Sequence, residues 1–266
     1  MSDPQLPAQV EAARAYEALF IPALFAQWAP KVADAARLAP GQRVLDVACG
    51  TGILAREARA RTAPSGYIVG IDPDAGMLAV AEELAPDIDW RQGTAEALPF
   101  PDGSFDAVVS QFGLMFFADR LGALREMLRV LRPGGRLVIA VWDSLEHTPA
   151  YAAEVDLLER RAGAAAADAV RAPFVLGDHE RLAGLMNDAG VAEVQIVTQP
   201  GLARFPSIRV MLEAEVRGWL PMWDVRLSEP EIERILHEGE DVFRAYTTPE
   251  GLVFDAPAHI ASGRKP

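Results

Sequence analysis

Arg43-Val-Leu-Asp-Val-Ala-Cys-Gly-Thr-Gly52 is the stretch that decides the fold. Val44 to Ala48 is a short apolar run broken by one acid, Asp46, and set off by Gly41 and Gly50. A run of this kind reads as a strand buried on both faces. Gly50-Thr51-Gly52 turns the chain, and Ile53 to Arg61 continues at helical spacing. Strand, glycine turn and helix form the first half of a βαβ unit. The two glycines permit positive φ and admit a ligand against bare backbone. The following helix start offers unpaired N–H groups at the same point.

The turn restricts what can bind. A dinucleotide site shows G-x-G-x-x-G with its backbone against a pyrophosphate. Here Ala55 stands at the third position, which alone still admits NAD. Asp46 tilts the reading the other way, because a carboxylate repels a pyrophosphate and attracts an ammonium or sulfonium group. S-adenosylmethionine carries both of those cations. Tyr67-Ile-Val-Gly-Ile-Asp72 is a second apolar run ending in an acid. It lies about 20 residues beyond the turn, where α/β nucleotide sites present a carboxylate to ribose hydroxyls. Asp72 can also be read as a cap on the helix that follows, and the two roles are compatible.

V-L-D-V-A-C-G-T-G resembles the first motif of class I S-adenosylmethionine-dependent methyltransferases. Glu96-Ala-Leu-Pro-Phe-Pro-Asp-Gly-Ser-Phe-Asp106 and Gln111-Phe-Gly-Leu-Met-Phe-Phe117 are similar to the small-molecule branch that includes ubiquinone/menaquinone-biosynthesis C-methyltransferases. Leu124-Arg-Glu-Met-Leu-Arg-Val-Leu-Arg-Pro-Gly-Gly-Arg-Leu137 resembles the same family on the face opposite the active site. The resemblance runs through ordered motifs from about residue 40 to 200. Pro257-Ala-His-Ile-Ala-Ser-Gly-Arg264 looks like the family's antiparallel last strand. The fold it implies is α/β: a Rossmann-like seven-stranded, mostly parallel sheet with an antiparallel last strand. A single methyltransferase domain is expected over 1–266, with a helical lid at 1–39, a core at 40–200 and 251–266, and a helical substrate cap at 201–250.

The resemblance places Asp46, Ala48, Gly50, Thr51 and Gly52 against the cofactor's amino-acid end, and Asp72, Pro73 and Met77 about its adenosine. The family's Gly-Asp-Ala loop reads Gly93-Thr94-Ala95 here. Thr94 can still accept through its hydroxyl but brings no charge, and an N–H near Ala95 can serve the adenine. Asp106 sits at the N-terminal end of its strand, away from the carboxyl ends where such sheets bind ligands, and reads as structural. Gln111 and Phe112 emerge where the cofactor's sulfur and the acceptor should meet. The N-terminal helical segment reads either as packing on the sheet edge or as a lid, with Tyr16 or Phe20 closing over the cofactor.

The acceptor is expected against Phe20, Met115, Phe116, Trp142, Trp219 and Trp223, although each of these aromatics could equally fill its own element's core. A helical segment at 8–38 is expected to be interrupted or restarted at Pro22 and Pro30. A helix is expected over Arg120–Leu131, stopped by Pro133-Gly134-Gly135, then a strand over Leu137–Trp142. Ala162–Ala169 is read as continuing the helix before it.

Transfer of an activated methyl needs no covalent enzyme nucleophile, only an acceptor held in line with the methyl–sulfur bond at about 3–3.5 Å. There is no G-x-S-x-G elbow, Walker A loop or H-E-x-x-H motif. His147, in the loop after the fifth strand, is the best-placed general base, from loop position alone. The expected activity is methyl transfer from S-adenosylmethionine, with S-adenosylhomocysteine as product, to a small, largely apolar acceptor such as a phenol, quinone precursor or polyketide. A catalytically silent cofactor-binding homologue or regulatory subunit is the alternative, and an NAD-dependent oxidoreductase a weaker one.

Composition narrows the partners. The 266 residues carry a net charge of −13, which disfavours nucleic acid because phosphate contact needs a basic stripe. Cys49 is the single cysteine, so no intramolecular disulfide forms and a metal cluster is not expected. No apolar run reaches the ~18–20 residues that span a bilayer, and Met1-Ser-Asp-Pro-Gln5 shows no export signal. A cytoplasmic monomer or homodimer acting on a small molecule, without stable membrane insertion, is the expectation.

Overall fold

The computed structural model describes residues 5–266. Residues 1–4, on which the reading of an absent export signal rests, lie outside it. The helices in chain order are α1 (Leu6–Phe20), α2 (Ala29–Ala36), α3 (Ile53–Thr62), α4 (Ala75–Leu84), α5 (Arg120–Val130), α6 (Pro149–Ala162), α7 (Ala164–Arg171), α8 (His179–Asp188), α9 (Ile208–Ala214), α10 (Leu220–Met222) and α11 (Glu229–Val242). The strands are β1 (Arg43–Val47), β2 (Tyr67–Asp72), β3 (Asp89–Gln92), β4 (Phe105–Gln111), β5 (Leu131–Trp142), β6 (Ala192–Gln199), β7 (Leu202–Phe205), β8 (Thr247–Thr248), β9 (Gly251–Asp255) and β10 (Ala258–Arg264). They form two compact units: residues up to 141 with 178–198 and 259–266, and residues 142–177 with 199–258.

The first unit holds the seven-stranded sheet, in the order β3-β2-β1-β4-β5-β10-β6. β1 pairs in parallel with β2 through Leu45–Val69 and with β4 through Leu45–Val108. β10 is antiparallel to β5: Gly134 N–H donates to Lys265 O, and Lys265 N–H donates back to Gly135 O. Val44, Leu45, Val69, Val108, Val109, Leu137 and Val138 have no solvent exposure. Such apolar runs belong to strands covered on both faces. The sheet order puts the carboxyl ends of β1, β2 and β4 side by side at one edge, with the order reversing at β1 and β4. That crevice is where open α/β sheets bind ligands.

Several boundaries differ from the sequence reading. The interruptions at Pro22 and Pro30 hold, since α1 ends at Phe20 and Pro30 enters the first turn of α2, where no N–H is missed; the π-helical form of the turn over Ile21–Phe25 is what the sequence did not show. α5 stops at Val130, and the chain from Leu131 through Pro133-Gly134-Gly135 already belongs to β5. The extra residues are absorbed by a register shift opposite Phe105–Ala107. Gly163, at φ +86°, separates α6 from α7 within the alanine stretch.

The second unit is also larger than the expected cap. It takes in Trp142–Gly177 and carries its own antiparallel sheet, β7-β9-β8, with Phe205 opposite Leu252. β9 therefore does not rejoin the main sheet, and the core resumes at His259, not at 251. Among the described residues no helix is long and apolar enough to cross a membrane, and no group of three acidic, histidine or cysteine side chains is arranged to hold a metal ion.

Candidate functional site

The site is built on the turn after β1. Ala48, Gly50 and Gly52 all have positive φ, at +57°, +54° and +86°. The two glycines do different work. A Cβ on Gly50 would meet nothing within 4 Å, so its face is open to a ligand. A Cβ on Gly52 would run into the Trp90 indole, and so would one on Gly70 in β2. Trp90, held by its Nε1–H donating to Ala85 O at 2.9 Å, is thus the reason for one glycine of the motif.

Asp72, at the end of β2, clamps the turn. Its Oδ2 accepts from Gly50 N–H and its Oδ1 from Asp74 N–H, both at 2.9 Å. The cap on α4 is Asp74, whose side chain accepts from Met77 N–H at 3.0 Å, so Asp72 is not the cap the sequence allowed. Burial pushes the Asp72 carboxyl above its usual value, against the pull of these two N–H groups.

The cavity above the turn encloses about 320 Å³ with its open mouth included. Tyr16, Asp46, Ala48, Gly50, Thr51 and Gln111 line it, as read from sequence. Ile21, Phe25, Cys49, Ile53 and Leu54 line it too and had not been singled out. Asp46 is 1% exposed, and neither carboxylate oxygen has a hydrogen-bond partner. Burial drives its carboxyl well above the usual range, the nearby Ala55 N–H pulls it back, and the Asp72 charge adds to the rise. The Cys49 thiol is pushed up by burial, then by Asp46 and Asp72. Thr51 Oγ1 and Gln111 Oε1 are likewise buried without partners.

Buried polar groups are ordinarily paired. Here four orphaned oxygens, two of them on one carboxylate, converge on one cavity. They are all acceptors or, for the hydroxyl, able to accept, and the field is negative. This donor-hungry set fits an ammonium and hydroxyl-bearing cofactor and opposes a pyrophosphate.

The N-terminal helical segment carries an aromatic chain. Tyr16 packs on Phe20 (5.9 Å between centroids) and on Phe25 (5.5 Å), and Phe25 packs on Phe112 (5.5 Å). Gln111 Nε2 donates to Phe25 O at 3.2 Å, tying the end of β4 to the π-helical turn. Phe112 holds φ +59°, a conformation costing a non-glycine residue on the order of 1–3 kcal/mol. On the other side, Arg56 of α3 pairs with Glu17 of α1 at 2.8 Å and donates to Thr51 O at 2.6 Å. No pattern flags this pair, because its members are 39 residues apart. α1 also lies on α4 where Gly76 leaves room for the Gln9 backbone.

Other expected residues fall outside this cavity. Gly52, Asp72, Pro73, Met77, Thr94, Ala95 and Phe112 are not among its lining. Thr94 and Pro73 are exposed, while Ala95 is buried. Of the expected acceptor residues in this unit, Phe20 joins the aromatic chain, Met115 is buried and Phe116 is exposed. In the second unit Trp142 is buried, Trp219 donates to Ala169 O at 2.9 Å, and Trp223 packs on Trp219 at 5.8 Å. His147 is exposed on a 3₁₀ turn. Its Nδ1 lies 3.0 Å from Oδ1 of the buried Asp143, which raises the imidazole's pKa. With Nδ1–H directed at the carboxylate, Nε2 keeps its lone pair.

A methyltransferase-domain family model matches residues 45–139, the strands and turn just described. A ubiquinone/menaquinone biosynthesis C-methyltransferase UbiE of Cronobacter sakazakii is 34% identical over 190 residues, covering 65% of this chain and 76% of that protein. This chain belongs to the class I S-adenosylmethionine-dependent methyltransferases.

A demethylmenaquinone methyltransferase of Renibacterium salmoninarum is 49% identical over 115 residues, 43% of this chain and 47% of that one. The chain spans about half the length of several curated relatives it matches. The crystal structure of the YcgJ protein from Bacillus subtilis superposes with a TM-score of 0.61 at 19% identity, covering 90% of this chain and 98% of that one. The methyltransferase fold and its cofactor, S-adenosylmethionine, thus agree with the negative, acceptor-rich cavity beside Gly50. The NAD reading loses its support.

Proposed function

We propose that this methyltransferase transfers the methyl of S-adenosylmethionine to a small, largely apolar acceptor by in-line displacement. Quinone precursors, phenols and polyketide-like molecules are the leading classes. The carrying observation is Asp46, a carboxylate buried with both oxygens unpartnered beside the open face of Gly50. When bound, the cofactor supplies a sulfonium-activated methyl, so the chain need only bind, orient and exclude water. Asp46 and the Thr51 hydroxyl accept from the ammonium end. Asp72 spends one lone pair of each oxygen on the turn and offers the others to the ribose hydroxyls. Gln111 presents its free Oε1 next to the lid, and Tyr16 and Phe25 cover the opening. Met77, Pro73, Thr94 and Ala95 surround the adenosine further along. His147, aligned by Asp143, is the candidate base where the acceptor must lose a proton.

The likeness to quinone-pathway C-methyltransferases supports the acceptor class. The test is calorimetric titration with S-adenosylmethionine, S-adenosylhomocysteine and NAD, after mass spectrometry has verified that the protein retains no ligand. Micromolar binding of the first two, weakened in Asp46→Asn, is expected. Binding of NAD alone overturns the proposal. If the cofactor binds and no transfer to a panel of quinone precursors and phenols occurs, the acceptor class is wrong.

A further inference from the structure

Two histidines of the first unit meet away from the cofactor cavity. His179 is the first residue of α8, Thr198 stands near the end of β6, and His259 is the second residue of β10. None of the three lines the cavity. His179 Nε2 lies 2.9 Å from Thr198 Oγ1 and 3.2 Å from His259 Nδ1, and Thr198 Oγ1 lies 3.0 Å from His259 Nδ1. The three atoms close a triangle. The rings stand at 88° with centroids 4.3 Å apart, so they meet edge-on and do not stack. His259 is 2% exposed, whereas His179 and Thr198 are exposed. The triangle is therefore rooted in the sheet and reached from solvent.

Hydrogen bonding alone fills this triangle poorly. Each ring nitrogen carries at most one proton, and the hydroxyl has one to give. If one ring donates to the hydroxyl and the hydroxyl donates to the other ring, no proton is left for the 3.2 Å edge between the two nitrogens. If both rings direct protons inward, two N–H groups oppose each other there. A metal ion removes the conflict, because it takes a lone pair from every corner. An ion about 2.0–2.1 Å from two ring nitrogens at the tetrahedral angle holds them about 3.3 Å apart. The 3.2 Å edge is close to that spacing. The exposed His179 ring is free to turn its lone pair toward the ion, while the buried His259 fixes the position. The third donor is a hydroxyl, so the cluster needs no third acidic, histidine or cysteine ligand.

We propose that His179, His259 and Thr198 form a binding site for a divalent transition-metal ion of the zinc class, with water in the remaining position. Imidazole nitrogens suit zinc, copper and nickel, whereas calcium and magnesium ask for oxygen. The ion would tie together residues 19, 61 and 80 positions apart in the chain, joining the start of α8 and the end of β6 to β10. It stabilises that edge of the sheet by mass action, since the unfolded chain holds no such triangle. The proposed methyl transfer makes no use of these residues, so the site stands or falls independently of it.

The experiment is titration of tag-free, chelator-treated protein with zinc by calorimetry and with cobalt(II) by visible absorption, beside thermal melts with and without zinc. One ion per chain at micromolar affinity is expected, with a raised melting midpoint and cobalt bands that lack a thiolate charge-transfer component. His179→Ala should weaken binding at least tenfold and abolish the thermal shift. It leaves the α8 cap intact, because the capping side chain is Asp178, which accepts from Arg181 N–H. Thr198→Val should weaken binding less, and His237→Ala should leave it unchanged. His259→Gln changes a buried residue, so its fold is verified by S-adenosylhomocysteine affinity before its metal binding is read. If no ion binds stoichiometrically, or if binding survives both histidine substitutions, the cluster is a hydrogen-bonded staple only and the proposal fails. A thiolate band, which would place the ion at Cys49, overturns it as well.

Discussion

Asp46→Asn separates the cost of a buried charge from its use. The aspartate is 1% exposed and neither oxygen makes a well-formed hydrogen bond, so the unliganded fold carries a carboxylate that only the nearby Ala55 N–H partly offsets. Leaving a buried polar group unsatisfied costs about 1–3 kcal/mol, and more when it is charged. The near-isosteric amide removes the charge and part of that cost. The unliganded variant should therefore be more stable at neutral pH by roughly 1–3 kcal/mol, a Tm rise of about 2–4 °C per kcal/mol for a chain of this size class.

The sign with pH follows from the raised carboxyl. The folded state binds the proton more tightly than the unfolded one, so wild-type stability falls as pH climbs from the ordinary aspartate range toward the folded value. The gain from Asn should be smallest near pH 4 and grow to a plateau above the folded pKa. Cofactor binding should move the other way. Losing a charge-assisted hydrogen bond of about 1.5–3 kcal/mol weakens binding roughly 10- to 100-fold. Urea unfolding across pH and calorimetry with S-adenosylhomocysteine measure both. A variant that is less stable, yet binds as wild type does, would show that Asp46 serves the fold and not the ligand.

Three further perturbations probe the frame. Arg56→Ala removes the half-buried pair with Glu17 and the bond to Thr51 O. It should cost about 1–2 kcal/mol in stability and speed hydrogen exchange across α1, and unchanged α1 protection would refute the clamp. Gly70→Ala pushes a methyl into the Trp90 ring. It should destabilise by about 1–3 kcal/mol, and the loss should shrink in a Trp90→Val background; strict additivity in that double mutant would contradict the contact. If His147 is the base, activity should rise with pH through a midpoint above the ordinary histidine value, because the Asp143 hydrogen bond raises it. Asp143→Asn should move that midpoint downward, and a profile that stays put excludes the dyad.

The turn after β1 was legible because its determinants are contiguous: an apolar run, one acid and two glycines within ten residues. Asp72 was legible for a related reason, since the spacing of a βαβ unit is set by its helix. Its double grip on Gly50 and Asp74 was not, because a carboxylate's partners depend on how the loop folds back. Trp90 and Arg56 escaped notice because each acts on a residue far away in sequence. The π-helical form of the turn at Ile21–Phe25 had no signal in the sequence, where Pro22 marks only an interruption or restart of the pattern. Phe25 reached the cavity through that same turn. The second unit was hardest to delimit: its two segments, 142–177 and 199–258, are separated by α8 and β6 of the core, and no composition shift marks where either begins.

The position of β10 between β5 and β6 sets an order on assembly. β6 leaves the ribosome before the strand it must lie against, and the whole excursion from 199 to 258 is made in between. The strands from β1 to β5 can pair as they emerge, whereas β6 waits with an open edge until a strand of opposite direction is threaded beside it. Such distant pairing is slow, because chain entropy is spent before the contact is gained. Nascent chains halted before β10 should therefore hold a formed cofactor pocket and a protease-sensitive β6. The part of the molecule that recognises the cofactor would then mature before the sheet is closed, and ligand present during synthesis could act as a folding template.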